Sequence, residues 1–218
     1  MNIIADLEGL KFPDEMVTRF FFKAGLHLRK GRVLELGCGN ANNLLLFAAY
    51  GWDCLGLDIN NESLKQGKRN FLRLGYSSPD LRSGDMNSKL PNFGPLDVLL
   101  MPSSIYYVHA NRGRKIIQEL AHSLNPRAFV FCRFRTLKDY RYGKGISLGE
   151  NTFQLDISET SEFGCTIAFF DEQTMKSILF PCDLDPLTVN ILQLNFDNLG
   201  VNSKIINNHD MIIWGCKK

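Results

Sequence analysis

The sequence predicts an α/β fold in which a doubly wound, mostly parallel sheet is covered by helices on both faces. Three observations carry that expectation. Short apolar runs rich in β-formers alternate with helix-patterned segments through the first half of the chain, the mark of βαβ units. The first run, residues 32–36, ends in Gly37-Cys38-Gly39, two glycines one residue apart, where a strand must turn sharply. The chain has 218 residues, 44% of them hydrophobic and 22% charged, enough to bury one large core at ordinary globular composition.

The elements follow in order. Residues 32–36 are the first strand and 41–50 a helix. Residues 53–57 are the second strand, closed by Asp58. The stretch 61–74 has helical content (ESLKQGKRNFLRL), with Asn60 or Asn61 as N-cap and Gly75 as stop. Strands are expected at 81–84 and at 96–101 (LDVLLM). An amphipathic helix spans 113–124, stopped by Asn125-Pro126, and 128–133 (AFVFCR) is the fifth strand. Beyond it the pattern changes. Residues 135–149 are polar and glycine-containing, hence a loop, while 152–157 and 165–170 form a hairpin. Asp171 caps a helix to about Phe180, 181–186 is a break, and 187–194 and 210–215 are the last strands. The expectation is a single domain of seven strands with a reversed C-terminal edge strand. Its parts are an N-terminal helical cover (1–30), a core (31–135), an inserted loop and hairpin (136–170), and a C-terminal helix with strands (171–218).

Composition excludes several function classes. A formal net charge of +2 suggests neither a nucleic-acid binder nor a membrane-surface protein. The six cysteines (Cys38, Cys54, Cys132, Cys165, Cys182, Cys216) lack C-x-x-C pairs and metal-ligand spacing, as expected of free thiols in a reducing compartment. Asp6, Glu8, Asp14 and Glu15 make the N-terminus unlike a signal peptide, and the apolar run Phe20–Phe22 is too short to span a bilayer. A cytoplasmic enzyme, monomeric or homodimeric, is the expectation.

Glycine-rich loops between a strand and a helix usually hold a nucleotide-like cofactor. A dinucleotide site wants G-x-G-x-x-G, and here the third glycine position is Asn42. The alternative is an acidic residue ahead of the glycines, E/D-x-G-x-G-x-G, which this chain matches as Glu35-Leu-Gly37-Cys38-Gly39-Asn-Ala41, with alanine at the last place. Asp58 follows nineteen residues after Gly39, then Ile59, then Ser83-Gly84-Asp85-Met86, then the strand ending at Met101. In this order the segments resemble the class I S-adenosylmethionine-dependent methyltransferases, over roughly residues 30–135, and the fold is then Rossmann-like. The resemblance implies S-adenosylmethionine as cofactor. Asp58 would accept from both ribose hydroxyls, Ile59 pack on the adenine, and Asp85 and Met86 meet the adenine edge. Met101 would lie at the sulfonium side and Cys38 contribute its main chain. Glu35 would order the loop or touch the ligand. No metal is implied.

Methyl transfer from a sulfonium is an in-line displacement, so alignment and exclusion of water carry most of the catalysis. A base is needed for a hydroxyl acceptor and less so for a carboxylate or thiolate. The segment Met101-Pro-Ser-Ser-Ile-Tyr106-Tyr107-Val-His109 stands where the family places acceptor-side residues. It lacks the [DNS]-P-P-[YFW] tetrad and the Pro-Cys nucleophile of nucleic-acid methylation, which leaves a small molecule as the expected substrate. His109 is the candidate base, with Tyr106 or Tyr107 lining the site. The run 133–145 (RFRTLKDYRYGKG) interleaves cations with aromatics, so Arg135 and Arg141 are candidates for an anionic or sugar-like acceptor. The hairpin after it is placed to act as a lid. The alternatives are an NAD(P)-binding oxidoreductase and a non-catalytic cofactor-binding protein of the same fold.

Overall fold

The computed structural model describes residues 4–218 and, at Asn202, the main chain alone. The strands are β1 (Arg32–Leu36), β2 (Asp53–Asp58), β3 (Asp80–Ser83), β4 (Leu96–Met101), β5 (Leu124–Arg135), β6 (Ile146–Gly149), β7 (Thr152–Gln154), β8 (Thr166–Ala168), β9 (Asn190–Leu199) and β10 (Ile205–Cys216). Seven of them form one sheet in the order β3-β2-β1-β4-β5-β10-β9. β1 pairs parallel with β2 and with β4, and β2 pairs parallel with β3. The reversal expected at the C-terminal edge is the antiparallel pairing of β10 with β9, from Ile205 opposite Leu199 to Trp214 opposite Asn190. The last strand in the chain therefore lies inside β9 and not at the rim.

The chain divides into two compact units. The first holds the residues up to Pro102 with Ser123–Phe131 and Lys217. The second holds Ser103–His122, Cys132–Cys216 and Lys218. In the first unit Val33, Leu34, Leu36, Val98, Leu99 and Leu100 are all fully buried, the continuous apolar runs that parallel strands covered on both faces require. Helix α1 (Glu15–Lys23) is capped by Asp14 and buries Met16, Val17, Phe20 and Phe21. Phe21 meets Phe47 edge-on at 4.8 Å. Helix α2 (Asn42–Ala49) leaves the glycine loop, and α3 (Asn61–Arg73) takes Asn60, not Asn61, as its N-cap. Gly75 ends that segment in the left-handed region, at φ +72°.

In the second unit α4 (Ala110–Ala121) begins three residues before the expected start and ends before Asn125-Pro126. Pro126 does not stop this helix. It lies in the opening residues of β5, where a ladder donor is dispensable, and Arg127 kinks the strand at φ +62°. The hairpin expected at 152–157 and 165–170 is present as β7 and β8, and β6 extends it to a three-stranded antiparallel sheet. A register shift between Ser147 and Gly149 breaks the alternation in β6, which is why its sequence resembles a loop. Helix α5 (Glu172–Leu179) is capped by Asp171 as expected. The C-terminal strands run longer than their apolar stretches because their outer halves pair with each other through polar side chains: Asn207 Nδ2 donates to Asn195 Oδ1 at 2.8 Å. Among the described residues no helix is long and apolar enough to cross a membrane.

Packing is tight under the glycine loop. A Cβ built on Gly56 in β2 would stand 2.5 Å from Cys38 Sγ and 2.8 Å from Leu81. Gly56→Ala is therefore expected to destabilise the fold by about 1–3 kcal/mol through overpacking. Thermal unfolding checks this, and an unchanged melting temperature would mean that Cys38 and Leu81 yield freely.

Candidate functional site

The loop after β1 places Gly37 at φ +68°, Gly39 at φ +52° and Ala41 at φ +61°, three left-handed positions at alternate residues. The first two suit glycine, whereas at Ala41 the conformation is strained. Main-chain bonds set the turn: Gly37 and Cys38 donate to the Leu57 carbonyl at 2.7 and 3.1 Å, and Ala41 donates to the Cys38 carbonyl at 2.7 Å. A Cβ on Gly39 would meet nothing within 4 Å, so the loop faces open space there. The thiol of Cys38 points the other way and is buried, which pushes its pKa up and leaves the residue only main chain to offer.

Asp58 closes β2 beside this loop. Its Oδ2 accepts from the Gly39 amide at 2.8 Å and its Oδ1 from the Asn60 amide at 2.8 Å. Each oxygen keeps a lone pair that could accept from a cis-diol. Ile59, the next residue, is 72% exposed, an apolar side chain set beside a carboxylate. Asp85 spends Oδ1 on a turn, accepting from the amide and the side chain of Asn87 at 2.8 and 3.0 Å. Met101 is fully buried, so its side chain belongs to the core and only its main chain can serve a ligand.

Glu35 is 1% exposed. Its Oε1 accepts from Asn43 Nδ2 at 2.6 Å, and its Oε2 has no partner. Burial raises its pKa to about 8, opposed by the Asn43 bond and reinforced by the charges of Asp58 and Asp14.

The sequence reading missed the asparagines. Asn40 Nδ2 donates to the carbonyls of Glu8 and Leu10 at 2.8 and 2.7 Å, and Asn42 Nδ2 to that of Phe12 at 2.7 Å. Asn43 Oδ1 accepts from the Asp14 amide at 2.7 Å. Asn70 in α3 brackets Glu8, accepting from its amide at 2.9 Å and donating to its carbonyl at 2.8 Å. Residues 8–14 are thus strapped across the loop by amide side chains. The signal was present in the run Gly39-Asn-Ala-Asn-Asn43, which gathers more amides at a helix start than one N-cap uses.

The acceptor-side candidates all lie in the second unit. Tyr106 is buried, with the Arg135 guanidinium 4.9 Å above its ring. Tyr107 donates to Glu162 Oε1 at 2.8 Å. Burial, then Tyr106 and Glu162, push the Tyr107 phenol well above its usual range. Arg135 and Arg141 are expected from the sequence to face an acceptor, but both are buried among carboxylates of the chain. Arg135 pairs with Asp139 and Glu162 at 3.2 and 3.4 Å, and Arg141 with Asp139 at 3.0 Å and with Glu162. His109, the candidate base, is the N-cap of α4. Its Nδ1 accepts from the Asn111 amide at 3.3 Å and its Nε2 stands 3.1 Å from the Leu148 carbonyl. That pattern fits a neutral ring protonated on Nε2, with neither nitrogen free.

Residues 33–127 match the family model described as a methyltransferase domain. That match lies within the sheet-forming core, and the seven-stranded sheet with its reversed edge strand is the fold of S-adenosylmethionine-dependent methyltransferases of known structure. An uncharacterized protein of Rickettsia prowazekii is 25% identical over 112 residues, which is 50% of this chain and 45% of that protein. The protein-L-isoaspartate O-methyltransferase of Gloeobacter violaceus is 30% identical over 73 residues, 34% of this chain and 36% of that enzyme. The chain thus spans less than half the length of these two relatives. Among solved structures, a methyltransferase from Methanosarcina mazei superposes at a TM-score of 0.63 and 18% identity, covering 86% of this chain and 93% of that one. An open glycine loop, a strand-ending carboxylate and a buried acid with one oxygen lacking a partner would suit a ribose diol and a positively charged methionyl sulfonium.

Glu35 makes the fold pH-dependent. Its folded pKa of about 8 exceeds the ordinary 4.5, so between those values the folded chain holds a proton that the unfolded chain has lost. Stability should then fall as pH rises from 4.5 to about 8 and level off above. Glu35→Gln keeps the acceptor for Asn43 and removes the charge. It is expected to abolish this slope and to stabilise the cofactor-free chain at pH 9 by a few kcal/mol, on the order set by the shift. Parallel melting curves of both proteins from pH 5 to 9 would show it; identical slopes would mean that another group carries the pH dependence.

Proposed function

We propose that the chain transfers the methyl group of S-adenosylmethionine to a small-molecule acceptor, anionic or sugar-like, by in-line displacement. The observation that carries this reading is the Asp58 carboxylate, fixed by the Gly39 amide beside a loop that is open above Gly39. Asp58 would take the ribose hydroxyls, the main chain of Gly37 to Gly39 would line the methionyl portion, and Ile59 with Met86 would pack on the adenine. When bound, the cofactor supplies an electrophilic methyl on a good leaving group. The chain aligns the nucleophile and keeps water out, which can supply about 7–11 kcal/mol of the barrier. The oxidoreductase alternative finds no support, since Asn42 is spent on the Phe12 carbonyl where a dinucleotide loop wants glycine.

Proton removal has no assigned agent. Both nitrogens of His109 are engaged, and the Tyr107 phenol is held in its protonated form. We read the acceptor as one whose nucleophilic atom arrives unprotonated. The work place of the enzyme is read as the cytoplasm, in line with six free cysteines among the described residues.

Two substitutions test the reading. Asp58→Ala is expected to weaken S-adenosylmethionine and S-adenosylhomocysteine about 10- to 100-fold by calorimetric titration, the range for hydrogen bonds to a charged group. An affinity equal to that of the unmodified chain would remove the ribose assignment, and binding of NADH instead would revive the oxidoreductase. His109→Asn replaces one cap by another and should keep the melting temperature, whereas His109→Ala should lose about 1 kcal/mol. If methyl transfer, once an acceptor is found, collapses in the stable His109→Asn protein, His109 is a base after all.

A further inference from the structure

Tyr107, Arg135 and Arg141 converge on one carboxylate of the chain itself, that of Glu162. Tyr107 donates to Oε1 at 2.8 Å and Arg135 reaches the same oxygen at 3.4 Å. Arg141 Nε donates to Oε2, and the Thr160 hydroxyl donates to Oε2 at 3.0 Å. Four donors surround one anion, and three of them come from outside its own loop. That loop, residues 155–165, is built of turns and bends with no helix or strand. A main-chain bond between Leu155 and Cys165 closes its base, and the Glu162 side chain itself is held by the four donors.

The charges around Glu162 balance only while it is there. Arg135 and Arg141 face Asp139 and Glu162, two against two. Asp210 stands 4.0 Å from Arg135 and is matched by Arg133 at 2.6 Å, so these three arginines and three acids balance. Without Glu162 the cluster keeps one uncompensated positive charge, the Tyr107 hydroxyl and an Arg135 Nε that already lacks a partner. Beside it opens a cavity of about 370 Å³, lined by Tyr107, Arg141, Glu162 and Asn208, by Glu159, which is paired with Lys204, and on its apolar side by Leu199 and Ile206. That volume falls within the range of small-molecule sites.

We propose that this socket binds the carboxylate of a small-molecule ligand, and that the Glu162 side chain occupies it until such a ligand displaces it. The two guanidinium groups give this anion one N–H each, Arg135 to one oxygen and Arg141 to the other, an arrangement that suits a planar carboxylate of single charge. A phosphate dianion would overshoot the one charge left by Glu162. The cavity takes the rest of the ligand, with Leu199 and Ile206 against its apolar part. Donors that stabilise the anion also draw down its lone pairs, so the carboxylate is the handle of the ligand and another atom receives the methyl group. That the ligand is the methyl acceptor rests on the function proposed above; that the socket takes a carboxylate does not.

The test uses the full chain with benzoate, its neutral isostere benzamide, and inorganic phosphate as probes. Glu162→Ala is expected to bind benzoate at least about tenfold more tightly than the unmodified chain, the order of effect for re-pairing a buried charge. Benzamide should gain nothing, and adding Arg141→Met should erase the gain. Equal benzoate affinity in the two proteins, an equal gain for benzamide, or tighter binding of phosphate than of benzoate would each overturn the proposal. Should Glu162→Ala fail to fold, Glu162→Gln removes the charge with the shape kept and carries the same expectations. Hydrogen exchange on the unmodified chain needs no variant: saturating benzoate should speed exchange across 155–165, and unchanged exchange there would count against displacement. S-adenosylhomocysteine is titrated into the same samples. Its binding without any benzoate effect overturns the socket alone, and its failure to bind overturns the methyltransferase reading alone.

Discussion

The side-chain amide of Asn43 cannot turn over without breaking two bonds at once, because Oδ1 holds the Asp14 amide and Nδ2 holds Glu35. Much of the first unit depends on that one orientation. It joins the residue that caps α1 to the acid one residue before the end of β1, so the N-terminal helix and the glycine loop share a hinge pin. It also leaves Glu35 with a single donor, and a fully buried carboxylate with one hydrogen bond is costly to ionise. Asn40 and Asn42 extend the same logic to the carbonyls of Glu8, Leu10 and Phe12. A segment that pairs with no strand thereby satisfies its main chain through amide side chains, as buried backbone must.

The two units handle charge in opposite ways. Around the glycine loop the acids rest on amide donors, main-chain and side-chain: Asp58 on Gly39 and Asn60, and Glu35, which burial keeps protonated up to about pH 8, on Asn43. Such an environment favours an arriving cation, which a sulfonium with its ammonium group would be. In the second unit the acids of Asp139, Glu162 and Asp210 rest on guanidinium groups. Burial alone would raise the Glu162 carboxyl, yet Arg135 and Arg141 outweigh it and hold it below the ordinary range. Removing one partner of such a buried set costs far more than the set contributes intact. The arginines must therefore always have an anion, of the chain or of a ligand.

The sequence was informative where the physics is local. β1, β2 and β4 end within a residue of their apolar runs, because a doubly covered parallel strand has to be apolar throughout. The Asn60 and Asp171 caps were legible because each side chain reaches the amides of its own helix. Gly37, Gly39 and Asp58 were legible because the turn admits few alternatives. What escaped depends on partners far along the chain. Asn70 is placed by Glu8, sixty-two residues away. Arg135 and Arg141 look like solvent-facing cations until Glu162 is folded against them. The outer halves of β9 and β10 lacked an apolar alternation because cross-strand amides replaced it.

Ala41 shows why the loop and its strap have to be considered together. It takes the place where the family pattern has a third glycine, and it adopts the left-handed backbone there, at φ +61°. For a residue with a Cβ that conformation costs about 1–2 kcal/mol, and it persists only where neighbours over-determine it. The neighbours are on both sides: the Ala41 amide is bound to the Cys38 carbonyl, and Asn40 and Asn42 are bound to the strap. A glycine at this position would need no such support. The alanine makes the shape of the cofactor loop conditional on residues 8–14 being in place, so the N-terminal segment is part of the loop's architecture and not merely a cover over it.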